Sequence, residues 1–190
     1  MGKRIAILAS GAGSNAAHII ECFQENGRAE VVLLGSNKTD ALALNKAECL
    51  GVQTFVFNRG ALTSPDGVLG KLLTEKVDLI VLAGFLLKVP EIIIQAFPNR
   101  IINVHPALLP KFGGKGMYGK HVHKAVVEAG EKESGITIHY VNEQYDEGAI
   151  IFQAKCEVGE NDSAETLAKK IQTLEHQHFS TTIDQLIQTL

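Results

Sequence analysis

Three observations predict a single α/β domain of the doubly wound kind, a mostly parallel sheet with antiparallel strands added in its C-terminal half. Short β-rich runs alternate with helical patterns from the first residues onward. The early runs, such as 77–83 (VDLIVLA), are nearly continuous Val/Ile/Leu, which marks strands covered on both faces. Two late runs, 134–141 (SGITIHYV) and 149–156 (AIIFQAKC), alternate instead and are joined by the polar turn 142–148, the pattern of an antiparallel pair.

Taken in order, residues 4–9 (RIAILA) read as a buried strand and 14–25 as a helix with Ala17, Ile20 and Phe23 at helical spacing. Strand 31–35 follows, then helix 40–50, with Asp40 as its expected N-cap and Gly51 as its stop. A third strand at 52–57 precedes a third helix at 63–75, and 77–83 is the fourth and most apolar strand. Strand–helix–strand units of this length close as right-handed crossovers and give a Rossmann-like fold. Beyond it come a short helix at 90–97, a strand at 100–104, a Gly- and Pro-bearing loop at 106–119 and a helix around 121–129. Asp162 or Ser163 caps a final helix running to about Ile187. No internal repeat, low-complexity tract or linker interrupts the chain. The expectation is one domain over 1–190, with a nucleotide-binding half at 1–85 and a catalytic half at 86–190.

Composition narrows the function. With 190 residues, 45% hydrophobic and 21% charged, the chain is long enough for a sizeable core, and disordered, collagen-like or coiled-coil classes are excluded. A net charge of −3 supplies no field for nucleic acid or an anionic membrane, although it cannot report a local phosphate pocket. Cys22, Cys49 and Cys156 are odd in number, far apart and free of any CxxC pair, which argues against a disulfide scaffold or zinc module. Lys3 and Arg4 precede an apolar run too short for a signal peptide, and the stretch 79–87 is less than half of the roughly 20 residues a membrane helix needs. The expected protein is soluble and cytoplasmic, a monomer or homodimer.

Open parallel sheets bind ligands beyond the carboxyl ends of their strands. That rule selects 10–15, Asn37, 58–59, 84–87 and 103–105. The first loop, Ser10-Gly11-Ala12-Gly13-Ser14-Asn15, leads from strand to helix, where free N–H groups make an anion site. It matches a dinucleotide G-x-G-x-x-A pattern weakly, and Gly35-Ser36-Asn37-Lys38 stands where an acidic ribose ligand is needed. A plain tight turn with Ser14 as N-cap and a phosphate cradle of Gly13, Ser14 and Asn15 both fit. Asn103 and His105 lie two apart at a strand end, so both project to one side, and Pro106 ends the strand. An amide donor beside an imidazole suits a carbonyl that becomes an oxyanion, although a lone strand-end His is commonly structural. Asp146, in Tyr145-Asp146-Glu147-Gly148, reads either as part of a hairpin turn or as the carboxylate that orients His105 and raises its pKa.

The segments GAGSN, LAGFLLKVP, INVHPALLPKF, GITIHYVNEQYDEGAII and IQTLEH, in this order over nearly the whole chain, resemble the folate-dependent formyltransferase family, and within it the branch serving purine synthesis. The resemblance implies transfer of a formyl group from 10-formyltetrahydrofolate to the amine of glycinamide ribonucleotide, without metal or covalent intermediate. It implies that Asn103 and His105 flank the formyl carbonyl, that Asp146 pairs with His105 and manages the amine's proton, and that Gly13, Ser14 and Asn15 cradle the phosphate. Gln172 and Glu175 are implied at the ribose and glycinamide end. Phe85, Leu86, Leu87, Lys88 and Val89, with Val141, Asn142 and Tyr145, are implied at the pteridine pocket, and Arg59 at the folate's mouth.

His121 and His123, in HVH, and His139, alternating with Ile136 and Ile138, are further residues that could face the site. His176 and His178 sit two apart on a helix and so point different ways, which does not make a metal pair. The loop 111–120 (KFGGKGMYGK) is longer and richer in glycine than is usual in the family, and Leu87-Lys88 stands where an Arg-bearing segment is common. Rival readings are a formyltetrahydrofolate hydrolase, disfavoured by Pro106 after His105, a methionyl-tRNA formyltransferase, which needs a further basic domain, and a sugar-nucleotide formyltransferase, disfavoured by IQTLEH. From another class, a nicotinamide-binding dehydrogenase or a catalytically inert ligand-binding protein of Rossmann-like fold would share the strand pattern.

Overall fold

The computed structural model describes residues 2–190. Seven strands form one sheet: β1 (Lys3–Leu8), β2 (Ala29–Ser36), β3 (Gln53–Val56), β4 (Leu79–Leu82), β5 (Ile101–His105), β6 (Glu133–Tyr140) and β7 (Ile150–Glu157). Their order is β3-β2-β1-β4-β5-β6-β7. The first five pair in parallel, and β6 and β7 join antiparallel. The predicted fold class is therefore the observed one.

Helices α1 (Ser14–Asn26), α2 (Leu42–Cys49), α6 (Lys120–Glu128) and α7 (Ala164–Ile187) contribute to one apolar layer. The short α3 (Arg59–Thr63), α4 (Gly70–Thr74) and α5 (Glu91–Ala96) contribute to the other. Each central strand feeds both. In β1, Ile5 and Ile7 face the first layer and Ala6 and Leu8 the second; in β4, Leu79 and Val81 alternate with Ile80 and Leu82 in the same way. Burial on both faces is why these strands lack polar alternation.

Local expectations fail at three places. The helix expected at 63–75 is broken: α3 stops at Ser64, which is extended (φ −83, ψ 137), before Pro65, and Gly67 leaves helical geometry before α4 begins. Proline disfavours the helical region for its predecessor and offers no N–H, so one helix cannot run through. Asp40 does not cap α2. The cap residue is Ala41, and the Ala43 N–H donates to the Gly11 carbonyl at 3.1 Å, so the loop after β1 supplies the acceptor. Ser14 is the first helical residue of α1 rather than its cap; Gly13 holds that place in the left-handed region (φ 69). Where capping chemistry was sufficient it prevailed. Ser163 caps α7 in a reciprocal box with Thr166, and Gly51 (φ 75) follows α2.

Candidate active site

Chain order reverses beside β1, whose neighbours are β2 and β4, and a cleft of about 600 Å³ opens at the carboxyl ends of the strands there. Its size falls in the range of small-molecule sites. Ser10, just behind it, ties the ends of three strands together: the hydroxyl donates to Asn37 Oδ1 at 2.6 Å and accepts the Leu86 N–H at 3.0 Å.

One end of the cleft is the N-terminus of α1. Its first N–H groups lack partners within the helix and its dipole favours anions. The sequence separates Ser14 and Asn15 from Gln172 and Glu175 by most of the chain, yet the fold joins them. Gln172 Nε2 donates to Ser14 Oγ at 3.1 Å, and Asn15 Nδ2 to Glu175 Oε2 at 2.9 Å. Burial pushes the Glu175 carboxyl above its ordinary pKa, and the Asn15 hydrogen bond partly counteracts this. The Asn15 Oδ1 atom is buried without a protein partner. Gly11, Gly13, Ser14, Asn15 and Glu175 line the cleft; Gln172 stands behind Ser14, largely exposed.

At β5 and its antiparallel neighbour, four side chains meet. Asn103 and His105 project to the same side and both line the cleft. His105, 3% exposed, is held by one hydrogen bond, its Nε2 lying 2.8 Å from the Phe112 carbonyl, while its Nδ1 lies 3.5 Å from Asp146 Oδ2. A carbonyl only accepts, so Nε2 carries a proton and Nδ1 is the nitrogen left to titrate. Asp146 Oδ2 also accepts the Gly114 N–H at 2.9 Å. Phe112 (φ 56) and Asp146 (φ 57) both adopt the left-handed region, an uncommon conformation for non-glycine residues that often marks functional sites. His139, the register partner of Asn103, sits 3.1 Å from the Asn103 amide nitrogen and 3.6 Å from Asp146 Oδ1.

One electrostatic expectation is corrected. Asp146 does pull the His105 pKa upward, but desolvation by burial outweighs it, and the net shift is downward. Burial depresses His139 and His123 likewise.

The remaining wall carries Phe85, Leu86, Leu87, Lys88 and Val89 after β4, and Val141, Asn142 and Tyr145 after β6. Leu86 and Tyr145 are partly exposed at 40% and 39%, which makes this end apolar and open. The Lys88 ammonium lies 5.8 Å from the Tyr145 ring centre, within cation–π range. Arg59 is exposed at the start of α3 and is not among the lining residues.

Of the two histidines in HVH, both flagged as able to face the site, the structure brings in only one: His123 is buried against the cleft with its Nδ1 unpartnered, whereas His121 is exposed and meets Tyr118 edge-on. The helical phase that buries Val122, His123 and Val126 together was the available signal. Residues 114–119 of the glycine-rich loop also line the cleft. His176 stacks on His18 and His178 packs against Phe152. Among the described residues no group of three or more His, Cys, Asp or Glu is placed to hold a metal.

Comparison with known proteins identifies the family. Residues 3–183 match the family described as formyl transferase. The chain is 44% identical over 183 residues to the chloroplastic phosphoribosylglycinamide formyltransferase of Arabidopsis thaliana, covering 93% of this chain and 63% of that protein. It is 36% identical over 192 residues to the phosphoribosylglycinamide formyltransferase of Bacillus subtilis, covering 97% and 95%. A crystal structure of the Brucella melitensis phosphoribosylglycinamide formyltransferase superposes with a TM-score of 0.89 at 37% identity, over 98% of this chain and 96% of that one. The chain thus spans about three-fifths of the plant relatives' length, 63% and 61%, and nearly all of the Bacillus protein. A family match across almost the whole chain, from residue 3 to 183, shows that this chain belongs to the formyl transferase family.

Proposed function

We propose that this chain transfers the formyl group of 10-formyltetrahydrofolate to the amine of glycinamide ribonucleotide, a step of de novo purine synthesis. The observation that carries the reading is the presence in one cleft of Asn103, His105 and Asp146 with a helix N-terminus at one end and an open apolar wall at the other. The names of the relatives support the choice of substrates.

The α1 N-terminus, with Gly13, Ser14 and Asn15, takes the phosphate; Gln172 holds Ser14 in place from behind, and Glu175 holds Asn15 while facing the ribose and glycinamide end. Residues 85–89, with Val141, Asn142 and Tyr145, take the pteridine; Arg59 is assigned to the outer mouth. The folate supplies an activated formyl group. As the amine attacks, negative charge grows on the formyl oxygen, and the Asn103 N–H, and His105 once its Nδ1 carries a proton, are the groups on hand to stabilise it. With Nε2 committed to Phe112, only Nδ1 exchanges a proton with the cleft, and Asp146 stabilises it when charged. The proton the amine loses equals the one the departing folate nitrogen gains, so Asp146 and water need only relay it. No residue in this account forms a covalent bond to substrate, and no metal takes part.

We assign the protein to the cytoplasm, a compartment that suits its three free cysteines. We further assign 1–85 as the nucleotide-binding half and 86–190 as the catalytic and folate-binding half of one domain, acting as monomer or homodimer.

The test is a spectrophotometric turnover assay with 10-formyltetrahydrofolate, run with and without glycinamide ribonucleotide. Folate product that depends on the nucleotide supports the reading. Product without it indicates a hydrolase, and no product in either case points to another formyl acceptor or a ligand-binding role.

A further inference from the structure

The mechanism above leaves the orientation of one side chain open. A primary amide can present either nitrogen or oxygen, and only the nitrogen stabilises a developing oxyanion. Asn103 has a single hydrogen-bond partner holding its nitrogen, His139 Nε2 at 3.1 Å. His139 in turn has its other ring nitrogen, Nδ1, 2.9 Å from the carbonyl of Tyr140. That carbonyl only accepts, so Nδ1 carries a proton, and in the neutral ring Nε2 is a bare acceptor. The Asn103 amide must then donate to it, which fixes its nitrogen side and leaves its second N–H free.

The surroundings keep the ring in that form. His139 is 2% exposed, in the middle of a sheet, and burial disfavours its charged state. The titratable groups that face it are Asp146 from the turn after β6 and His105 from β5; the first favours its protonation and the second opposes it. Asp146 Oδ1 lies 3.6 Å from Nε2, beyond hydrogen-bond length, so the carboxylate does not displace Asn103. The pairing is also fixed in register, because Asn103 and His139 lie directly opposite on β5 and β6.

We infer that His139, as its Nδ1–H tautomer relayed from the Tyr140 carbonyl, is a positioning residue that aims the Asn103 amide N–H at the reacting oxygen. The inference rests on the formyl-transfer reading above. It is distinct from a direct role for His139, which touches Asn103 rather than the reacting atoms.

The first measurement needs no substrate. Imidazole ¹⁵N shifts of the wild-type protein at neutral pH should show His139 protonated at Nδ1 and bare at Nε2, and an Nε2–H tautomer would overturn the inference. The second is a double-mutant cycle. His139→Leu removes the acceptor and should lower kcat about ten- to hundredfold, part of the effect of losing an oxyanion donor, with both KM values within about twofold. His139→Gln, which places an acceptor near the Nε2 position, should recover most of that loss. In an Asn103→Ala background the Leu substitution should cost under about twofold more, because the group it positions is gone. An unchanged kcat in His139→Leu, or an equal loss in both backgrounds, overturns the positioning role.

If His139→Leu melts early, the Gln variant and the tautomer decide. If the wild type shows no nucleotide-dependent turnover, the reaction reading fails instead. Slow exchange of the Asn103 amide protons in wild type and His139→Gln, and its loss in His139→Leu, then separates the two questions. Retained slow exchange in His139→Leu would overturn the positioning claim.

Discussion

Replacing Gly13 by alanine should destabilise the fold and spoil the phosphate end together, whereas the same change at Gly11 should leave stability alone. At Gly13 the backbone is left-handed (φ 69), and an added Cβ would lie 2.5 Å from Ala43 Cα and 2.6 Å from Ala43 Cβ. Carbon contacts prefer about 3.5–4.0 Å, so either α2 or the loop must retreat by roughly 1 Å. The conformational cost is about 1–2 kcal/mol and the overpacking about 1–3 kcal/mol, together about 2–5 kcal/mol. For a domain of this size each kcal/mol lowers Tm by about 2–4 °C, so the melt should fall by about 4–20 °C. At Gly11 no atom lies within 4 Å of the added carbon. Scanning calorimetry of both variants, with the nucleotide KM of each, makes the comparison. A Gly13→Ala melt within about 2 °C of both wild type and Gly11→Ala would refute the packing argument.

Other expectations concern the cleft and its charges. His105→Ala should lower kcat by several orders of magnitude with the fold retained, and near-normal turnover would remove His105 from the chemistry. Asn15→Ala and Ser14→Ala should each raise the nucleotide KM, by about 1–2 kcal/mol in binding, and leave the folate KM alone; the reverse pattern in steady-state kinetics would mean that the two ends are exchanged. Stability should fall as pH drops below about 6.5: His105, His123, His139 and His176 have depressed pKa values, so the unfolded chain binds more protons in that window. Glu175, whose pKa is raised, acts in the opposite sense as acid is added, and four rings outweigh one carboxyl. Urea unfolding at pH 7.5 and 5.5 should therefore give the smaller free energy at 5.5, and equal values would contradict the burial account.

Much of the fold was legible because hydrophobic pattern and burial coincide. Apolar β1 and β4 are covered on both faces, and β7, at the antiparallel edge, alternates in burial; β6 alternates in sequence yet is buried from Ser134 to His139, polar Thr137 included. The break at Ser64-Pro65 was also written in the sequence, in a dipeptide whose steric rule outweighs the helical spacing around it. Other features were not local at all. Ala43 takes the Gly11 carbonyl in place of an Asp40 cap, a contact between elements that no local pattern contains. At the site, Asn103, His105 and Asp146 were readable as types at telling positions. The net pKa of His105 was not, because burial is a property of the packed whole. The partnership of Asn103 with His139 depends on strand register, which a one-residue slip would destroy by turning His139 to the other face.

The bonds from Gln172 to Ser14 and from Glu175 to Asn15 also set an order of events during synthesis. These pairs are separated by 158 and 160 residues. At about 5–20 residues per second, Ser14 and Asn15 leave the ribosome roughly 8–30 s before their partners in α7 exist. During that interval the first strands can pair, since β1, β2 and β4 all precede residue 83. The anion end cannot be completed. A nascent chain arrested before residue 172 should thus hold much of its parallel sheet while binding nucleotide poorly, and full affinity should arrive late, with α7.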